Sequence, residues 1–276
     1  MTTKSSDRSE SNINWASQEV AERRSRGQAR RAQLMGPATE LMLDLADVRA
    51  GSRVLDVAAG TGDQTLFAAR RVGPNGYVLA TDISASMLDI AAATAEKAGL
   101  TNVGTRVIDA ESLDHDAGSF DAVICQLGLM LFPNPVRVLR AMHRVVRPGG
   151  KVAALVFSTA GKNPYQGIIL DVARRFGSTP LPLFVLGEAN VLENTFKECG
   201  FLNVAVQAVN HRRHFSSTAE IFQSLKESAF LRQPIENLGE TEREQAWLEI
   251  ERQLRQFEAP SGVEVTGEFL IGVGTK

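Results

Sequence analysis

The residues with the most obvious capacity for chemistry are carboxylates and small residues placed where apolar runs end. Asp56-Val57-Ala58-Ala59-Gly60-Thr61-Gly62 joins an apolar run to a helical pattern. A glycine-rich turn at such a junction lets the backbone approach a ligand closely at a helix N-terminus. Dinucleotides and adenosyl cofactors both use such a turn, so their charges must separate them. A dinucleotide fingerprint begun at Gly60 lacks its third glycine, because Thr65 stands there, and one begun at Ala58 lacks its first. A carboxylate at Asp56 would repel a pyrophosphate and attract the ammonium and sulfonium charges of S-adenosylmethionine. The loop therefore favours that cofactor.

Two further acidic sites stand at the ends of apolar runs. Asp82 can accept both hydroxyls of a ribose, a role that either cofactor would use. Asp109-Ala110-Glu111 follows the next run, where a carboxylate can accept from the exocyclic amine of an adenine. Four histidines are candidate bases. His115 lies in a polar turn and His143 in a helical pattern, and both read as structural; His211 and His214, at the end of a late strand beside Arg212 and Arg213, are each a candidate catalytic base.

The elements that must hold these residues alternate as a parallel α/β sheet requires. Strands are expected at Arg53 to Val57, Tyr77 to Thr81, Val103 to Ile108, Phe120 to Leu127, Lys151 to Phe157, Asn203 to Phe215 and Glu264 to Gly274. Helices are expected at Gln64 to Arg71, Ser84 to Ala98 and Pro135 to Val146, the last stopped by Arg147-Pro148-Gly149-Gly150. A helical pattern from Trp15 to Ala32, interrupted at Gly27, carries Arg23, Arg24, Arg26, Arg30 and Arg31; such a run reads as a solvated face and is assigned no chemistry. Ser217-Thr218-Ala219-Glu220 and Thr241-Glu242-Arg243-Glu244 both match the capping box at a helix start. Trp247, Ile250, Leu254 and Phe257 share a face of the second of these helices.

The stretches Val54 to Asp63, Ala80 to Ser84, Asp109 to Glu111, Phe120 to Val123 and Val146 to Gly150 together resemble the class I S-adenosylmethionine-dependent methyltransferases, and within them the ubiquinone and menaquinone biosynthesis type and its small-molecule relatives. The likeness implies an α/β, Rossmann-like, seven-stranded mixed sheet with its last strand antiparallel. It implies that Asp56 and Gly60 lie by the methionine end, with Ala58 and Gly62 in the same loop. Asp82 would lie by the ribose, and Asp109 and Ala110 by the adenine. Ile83 and Met87 would pack on adenine or ribose, and Gln126 would line the cleft. Ala58 departs from the glycine that many members carry, and alanine is expected to be tolerated there. The implied activity is transfer of a methyl group to oxygen, carbon or nitrogen of a small, hydrophobic or aromatic metabolite. The alternative is a protein of the same fold that keeps the cofactor and catalyses another reaction, such as a cyclisation.

Composition narrows the partners. Of 276 residues 43% are hydrophobic and 22% charged, enough for a sizeable core. A formal charge of -2 gives no electrostatic reason to expect nucleic acid. Gln126-Leu127-Gly128-Leu129 also lacks the Asn-Pro-Pro-Tyr-like motif common in base methyltransferases. Cys125 and Cys199 suggest neither a metal site nor a disulfide framework. With no signal sequence and no apolar run long enough to cross a bilayer, the expectation is a soluble cytoplasmic protein. The expected organisation is a disordered polar tail over 1–13, an N-terminal helical cap over 14–48, and a cofactor-binding domain over 49–276 with helical insertions at about 160–190 and 216–260. Trp15, the segment Lys162 to Leu186 with Tyr165 and Phe184, and the helices from Ser217 to Phe257 are the candidate walls of an acceptor pocket.

Overall fold

A computed structural model of the chain describes residues 14–228 and 230–276; the expected polar tail over 1–13 lies outside them. Its first half follows the alternation of apolar runs. Helices α1 (Gln18–Arg26) and α2 (Gln28–Leu45) precede strand β1 (Arg53–Val57). There follow α3 (Asp63–Val72), β2 (Tyr77–Asp82), α4 (Ala85–Lys97), β3 (Val103–Val107), β4 (Phe120–Gln126), α5 (Pro135–Val145) and β5 (Val146–Phe157). Val54, Leu55 and Val57 are wholly buried, as expected of a central parallel strand covered by helices on both faces. Ser84 and Asn134 cap α4 and α5 by accepting from the backbone N–H groups of Met87 and Arg137.

The second half adds α6 (Pro164–Arg175), α7 (Ala189–Glu198), β6 (Leu202–Phe215), α8 (Thr218–Glu227), α9 (Gln233–Glu236), α10 (Glu240–Leu254), β7 (Glu258–Ala259) and β8 (Gly262–Thr275). The sheet order is β3-β2-β1-β4-β5-β8-β6, with the two-residue β7 folded back on β8. Strands β1 to β5 are parallel, and β8 runs antiparallel to both β5 and β6. The seven strands expected are therefore present, with β8 inside the sheet and β7 as a short addition. The chain steps from β1 to β2 on one side and returns to β4 on the other, so a crevice opens at the C-terminal ends of β1 and β4, where open α/β sheets bind ligands.

Three local expectations change. The N-terminal helical pattern does not stop near Ala32; α2 continues through Pro37 to Leu45, its Thr39, Met42 and Leu43 buried. Helix α10 starts at Glu240 with Gly239 as its cap, so Thr241 is already the second helical residue and is not the cap. At α8, Ser217 does accept from the Glu220 N–H, but the Glu220 carboxylate reaches back to Ser216 instead of Ser217. Arg147 to Gly150 ends α5 as expected, and those residues already run as the extended entry to β5.

Candidate functional site

The loop after β1 is shaped by three consecutive needs. Asp56, at the end of β1, is 0% exposed. Its carboxyl accepts from Gln64 Nε2 at 3.0 Å and from Thr65 Oγ1 at 2.5 Å. Thr65, the residue that breaks the dinucleotide pattern, is thus the partner of a buried acid. Burial pushes the Asp56 carboxyl up to about 7 against the lowering effect of both hydrogen bonds. Gly62 has φ +83, and a Cβ there would sit 2.8 Å from that of Ala91 on α4, so only glycine lets α3 begin against α4. Ala58 takes φ +56 without being glycine. That strain explains the glycine many family members carry, and a left-handed alanine costs about 1 to 2 kcal/mol.

A cleft of about 2010 Å³ opens over these strand ends. Ala58, Gly60, Asp82, Ile83, Met87, Asp109, Ala110 and Gln126 line it, as do His211 and His214. Asp56 and Gly62 do not line it, because both face the packing behind the loop. Asp82 Oδ2 accepts from the Gly60 N–H and Oδ1 from the Ser84 N–H, each at 2.9 Å. It ties the loop to the start of α4 and still borders the cleft. Burial raises its pKa, and those two backbone donors oppose the shift. Ile83 is 57% exposed on the cleft wall, an apolar side chain with nothing over it. Asp109 uses Oδ1 to accept from the Glu111 N–H at 2.9 Å. Gln126 uses Oε1 to accept from Thr39 Oγ1 at 2.7 Å, which leaves its amide hydrogens for the cleft.

Several site residues escape a reading of the sequence. Asp63, the first residue of α3, lines the cleft at 7% exposure. Its Oδ2 accepts from Arg31 Nε at 2.8 Å, while its buried Oδ1 has no partner among the described residues. Arg31 also donates to Thr61 Oγ1 at 3.0 Å and to the Arg24 carbonyl at 2.6 Å, and Gln28 donates to the Thr61 carbonyl at 2.8 Å. Arg24 lies over Gly60, with burial and the charge of Arg31 pushing it down to about 10. The arginines read as a solvated face are thus divided. Arg23 pairs with Glu19 on its own helix, whereas Arg24 and Arg31 clamp the glycine loop.

His211 and His214 both border the cleft but do not face one another. The period of two along β6 sends them to opposite faces. His211, half-buried, stacks on Phe269 at 4.3 Å between centroids, and His214 is exposed. Burial, with Arg213 nearby, pushes His211 down to about 4, so its ring is neutral at physiological pH. Neither ring nitrogen of His211 has a partner among the described residues. His143 packs edge-on against Phe201 at 4.8 Å and His115 against Phe120 at 5.3 Å, the structural roles expected of them. Trp15 and Tyr165 line the cleft; Phe184 does not, and packs edge-on against Phe157.

Known proteins resemble this chain in sequence or in fold. The ubiquinone/menaquinone biosynthesis C-methyltransferase UbiE of Pseudomonas paraeruginosa is 41% identical over 142 residues, 51% of this chain and 54% of that protein. The chain spans about half the length of the curated relatives it matches. Among solved structures, phosphoethanolamine N-methyltransferase 2 of Haemonchus contortus, in complex with phosphomonomethylethanolamine and S-adenosylhomocysteine, superimposes with a TM-score of 0.60 at 17% identity, covering 96% of this chain and 61% of that one. The [4+2]-cyclase SpnF superimposes with a TM-score of 0.53 at 21% identity, covering 87% of this chain and 80% of that one. These two likenesses are of fold. The model of the ubiE/COQ5 methyltransferase family, which uses S-adenosylmethionine, matches residues 39–178, from the middle of α2 past the end of α6. By that match, which takes in the glycine loop and all three acidic strand tips, the chain belongs to the ubiE/COQ5 methyltransferase family.

Proposed function

We propose that the chain is an S-adenosylmethionine-dependent methyltransferase acting on a small molecule with a largely apolar body. The observation that carries this reading is the buried, unpartnered Oδ1 of Asp63 at the cleft surface beside the glycine loop. A buried carboxylate oxygen with no donor is costly, and the ammonium of a methionyl group would satisfy it. Arg24, over Gly60, suits the carboxylate of the same group. Asp82 would accept from ribose hydroxyls, Asp109 through its remaining oxygen from the adenine amine, and the exposed Ile83 would be covered by the ring, with Met87 beneath. When bound there, the cofactor supplies a methyl group already activated by its sulfonium charge.

What remains for the protein is to orient the acceptor and exclude water. Helices α1 and α2 roof the donor side, α1 through Arg24 and α2 through Gln28 and Arg31. The acceptor side is walled by Tyr165 and Leu183, by Phe230 and Leu231, and by β6. Neutral His211 can accept a hydrogen bond from an acceptor hydroxyl. A pKa of about 4 makes it better suited to orienting that hydroxyl than to removing its proton. The stretch matched by the family model, residues 39–178, covers the donor half and ends before β6 and α8, so it supports the reaction class and leaves the methylated atom, whether oxygen, carbon or nitrogen, to experiment. Cys125 and Cys199 are free and buried, which accords with work in the reducing cytoplasm. Among the described residues no helix is long and apolar enough to cross a membrane.

Isothermal titration calorimetry should give saturable binding of S-adenosylmethionine and S-adenosylhomocysteine and none of NAD. Incubation with labelled donor and a panel of aromatic and isoprenoid-like acceptors, followed by mass spectrometry, should yield a product heavier by one methyl. Binding of NAD in preference to the methyl donor would sink the proposal, and donor binding with a converted but unmethylated acceptor would favour a cyclase-like reaction.

A further inference from the structure

At the far wall of the cleft the structure leaves a positive charge unanswered. Arg213, on β6, is half-buried, and its Nε is wholly buried with no hydrogen-bond partner among the described residues. It forms no ion pair there, although Glu227 also lines the cleft. Its guanidinium lies over the Tyr165 ring at 5.6 Å, a contact that does not replace a counter-charge. Arg30 adds to the positive field instead of relieving it: its guanidinium sits over Phe215, two residues along the same face of β6, at 4.6 Å. Glu220 meets Arg30 at 3.4 Å on the exposed side, away from Arg213. Burial pushes the Tyr165 hydroxyl up to about 12, so it stays protonated and able to donate.

This cluster is separate from the donor's needs. Strand β6 is four places from β1 in the sheet, roughly 19 Å at the usual spacing. The donor side has its own arginines, Arg24 and Arg31. A buried guanidinium that lacks a carboxylate inside the protein is matched by an anion from outside.

The geometry points to an acceptor that carries an acidic group, a carboxylate, sulfonate or phosphate, received by Arg213 with support from Arg30 and the Tyr165 hydroxyl. This rests on the cleft being the acceptor pocket of a methyltransferase. It assigns to that pocket one charged anchor beyond its apolar walls.

Two naphthalene dyes that differ in a single acidic group provide the test: 8-anilinonaphthalene-1-sulfonate and the uncharged N-phenyl-1-naphthylamine. Both are titrated by fluorescence into the full chain saturated with S-adenosylhomocysteine. The wild-type chain should bind the sulfonate at least about tenfold more tightly. Arg213→Gln should cut that preference to within about twofold, with the uncharged dye and S-adenosylhomocysteine binding as before, and Arg213→Lys should keep part of it. Equal affinity of the two dyes for the wild-type chain would overturn the proposal without any variant. So would an Arg213→Gln chain that weakens both dyes by the same factor, since that is the mark of a purely structural role. Failure of the wild-type chain to bind S-adenosylhomocysteine would instead overturn the methyltransferase reading, and the dye preference, measured without it, would still decide the anion site.

Discussion

Asp63 and Asp56 are two carboxylates on either side of one loop, and their surroundings assign them opposite roles. Asp63 faces the cleft with one oxygen bound to Arg31 and one without a partner among the described residues. Asp63→Asn should weaken S-adenosylmethionine about 10- to 100-fold in calorimetry, the worth of a charge-assisted hydrogen bond, while the melting temperature moves little. Asp56 is held behind the loop, raised by burial from 3.8 to about 7. In the unfolded chain it ionises first, so between about pH 4 and pH 7 the folded state holds the extra proton and stability falls as pH rises. Asp56→Asn should therefore gain on the wild type across that interval, by up to about 4 kcal/mol if the shift is fully expressed, as read from denaturant unfolding at pH 5 and pH 8. An advantage that stayed flat with pH would show that Asp56 is ionised in the fold. Asp82 and Asp109 were legible in the sequence because a strand end announces itself by the stop of an apolar run. The standing of Asp63 was not legible, since it depends on a neighbour 32 residues away that binds only one of its oxygens.

At the scale of elements, β1 to β4 and the helices between them could be read to within a residue or so, and β5 apart from its early start at Val146, because the central strands β1 and β4 are largely buried and each helix is stopped by glycine, proline or a cap. The N-terminal cap could not be read so far. Five arginines within nine residues have the look of a solvated face, and periodicity alone does not say which side turns inward. The break at Gly27 reorients the helix, so that Arg31 on α2 reaches Thr61 and Asp63 while Arg24 on α1 reaches Gly60. The same limit applies to β6, where His211 and His214 are both candidate bases by position and the strand period sends them to opposite faces. Helix α1 buries only Val20 and Ala21, so it should be among the first elements to open. Arg31→Ala is expected to speed amide hydrogen exchange across Gln18–Arg26 by about tenfold or more and leave β1 and β4 protected. Unchanged exchange in α1 would mean that the packing of Val20 and Ala21 suffices to hold it.

For the molecule as a whole, the sheet is completed by a strand far in sequence from the donor-side residues. Every residue proposed to hold the cofactor lies before residue 127, yet the sheet that positions them is closed by β8, which pairs with β5 from Lys151 to Phe157 and with β6 over most of its length. Phe269 and Ile271 are wholly buried between layers, and a Cβ at Gly274 would meet that of Phe201 at 2.6 Å, so the strand is fitted to helix α7 and its exit as well as to its neighbours. Contacts of such long sequence separation form late, and until they form, β5 and β6 present open edges. A chain ending at residue 261 keeps every donor-site residue and should nonetheless fail to bind S-adenosylhomocysteine. In size-exclusion chromatography it should run as aggregate or expanded monomer, and it should lack a cooperative thermal transition by circular dichroism. A truncated chain that melted cooperatively and bound the cofactor would show instead that β1 to β5 form a self-sufficient unit and that β6 and β8 serve only the acceptor pocket.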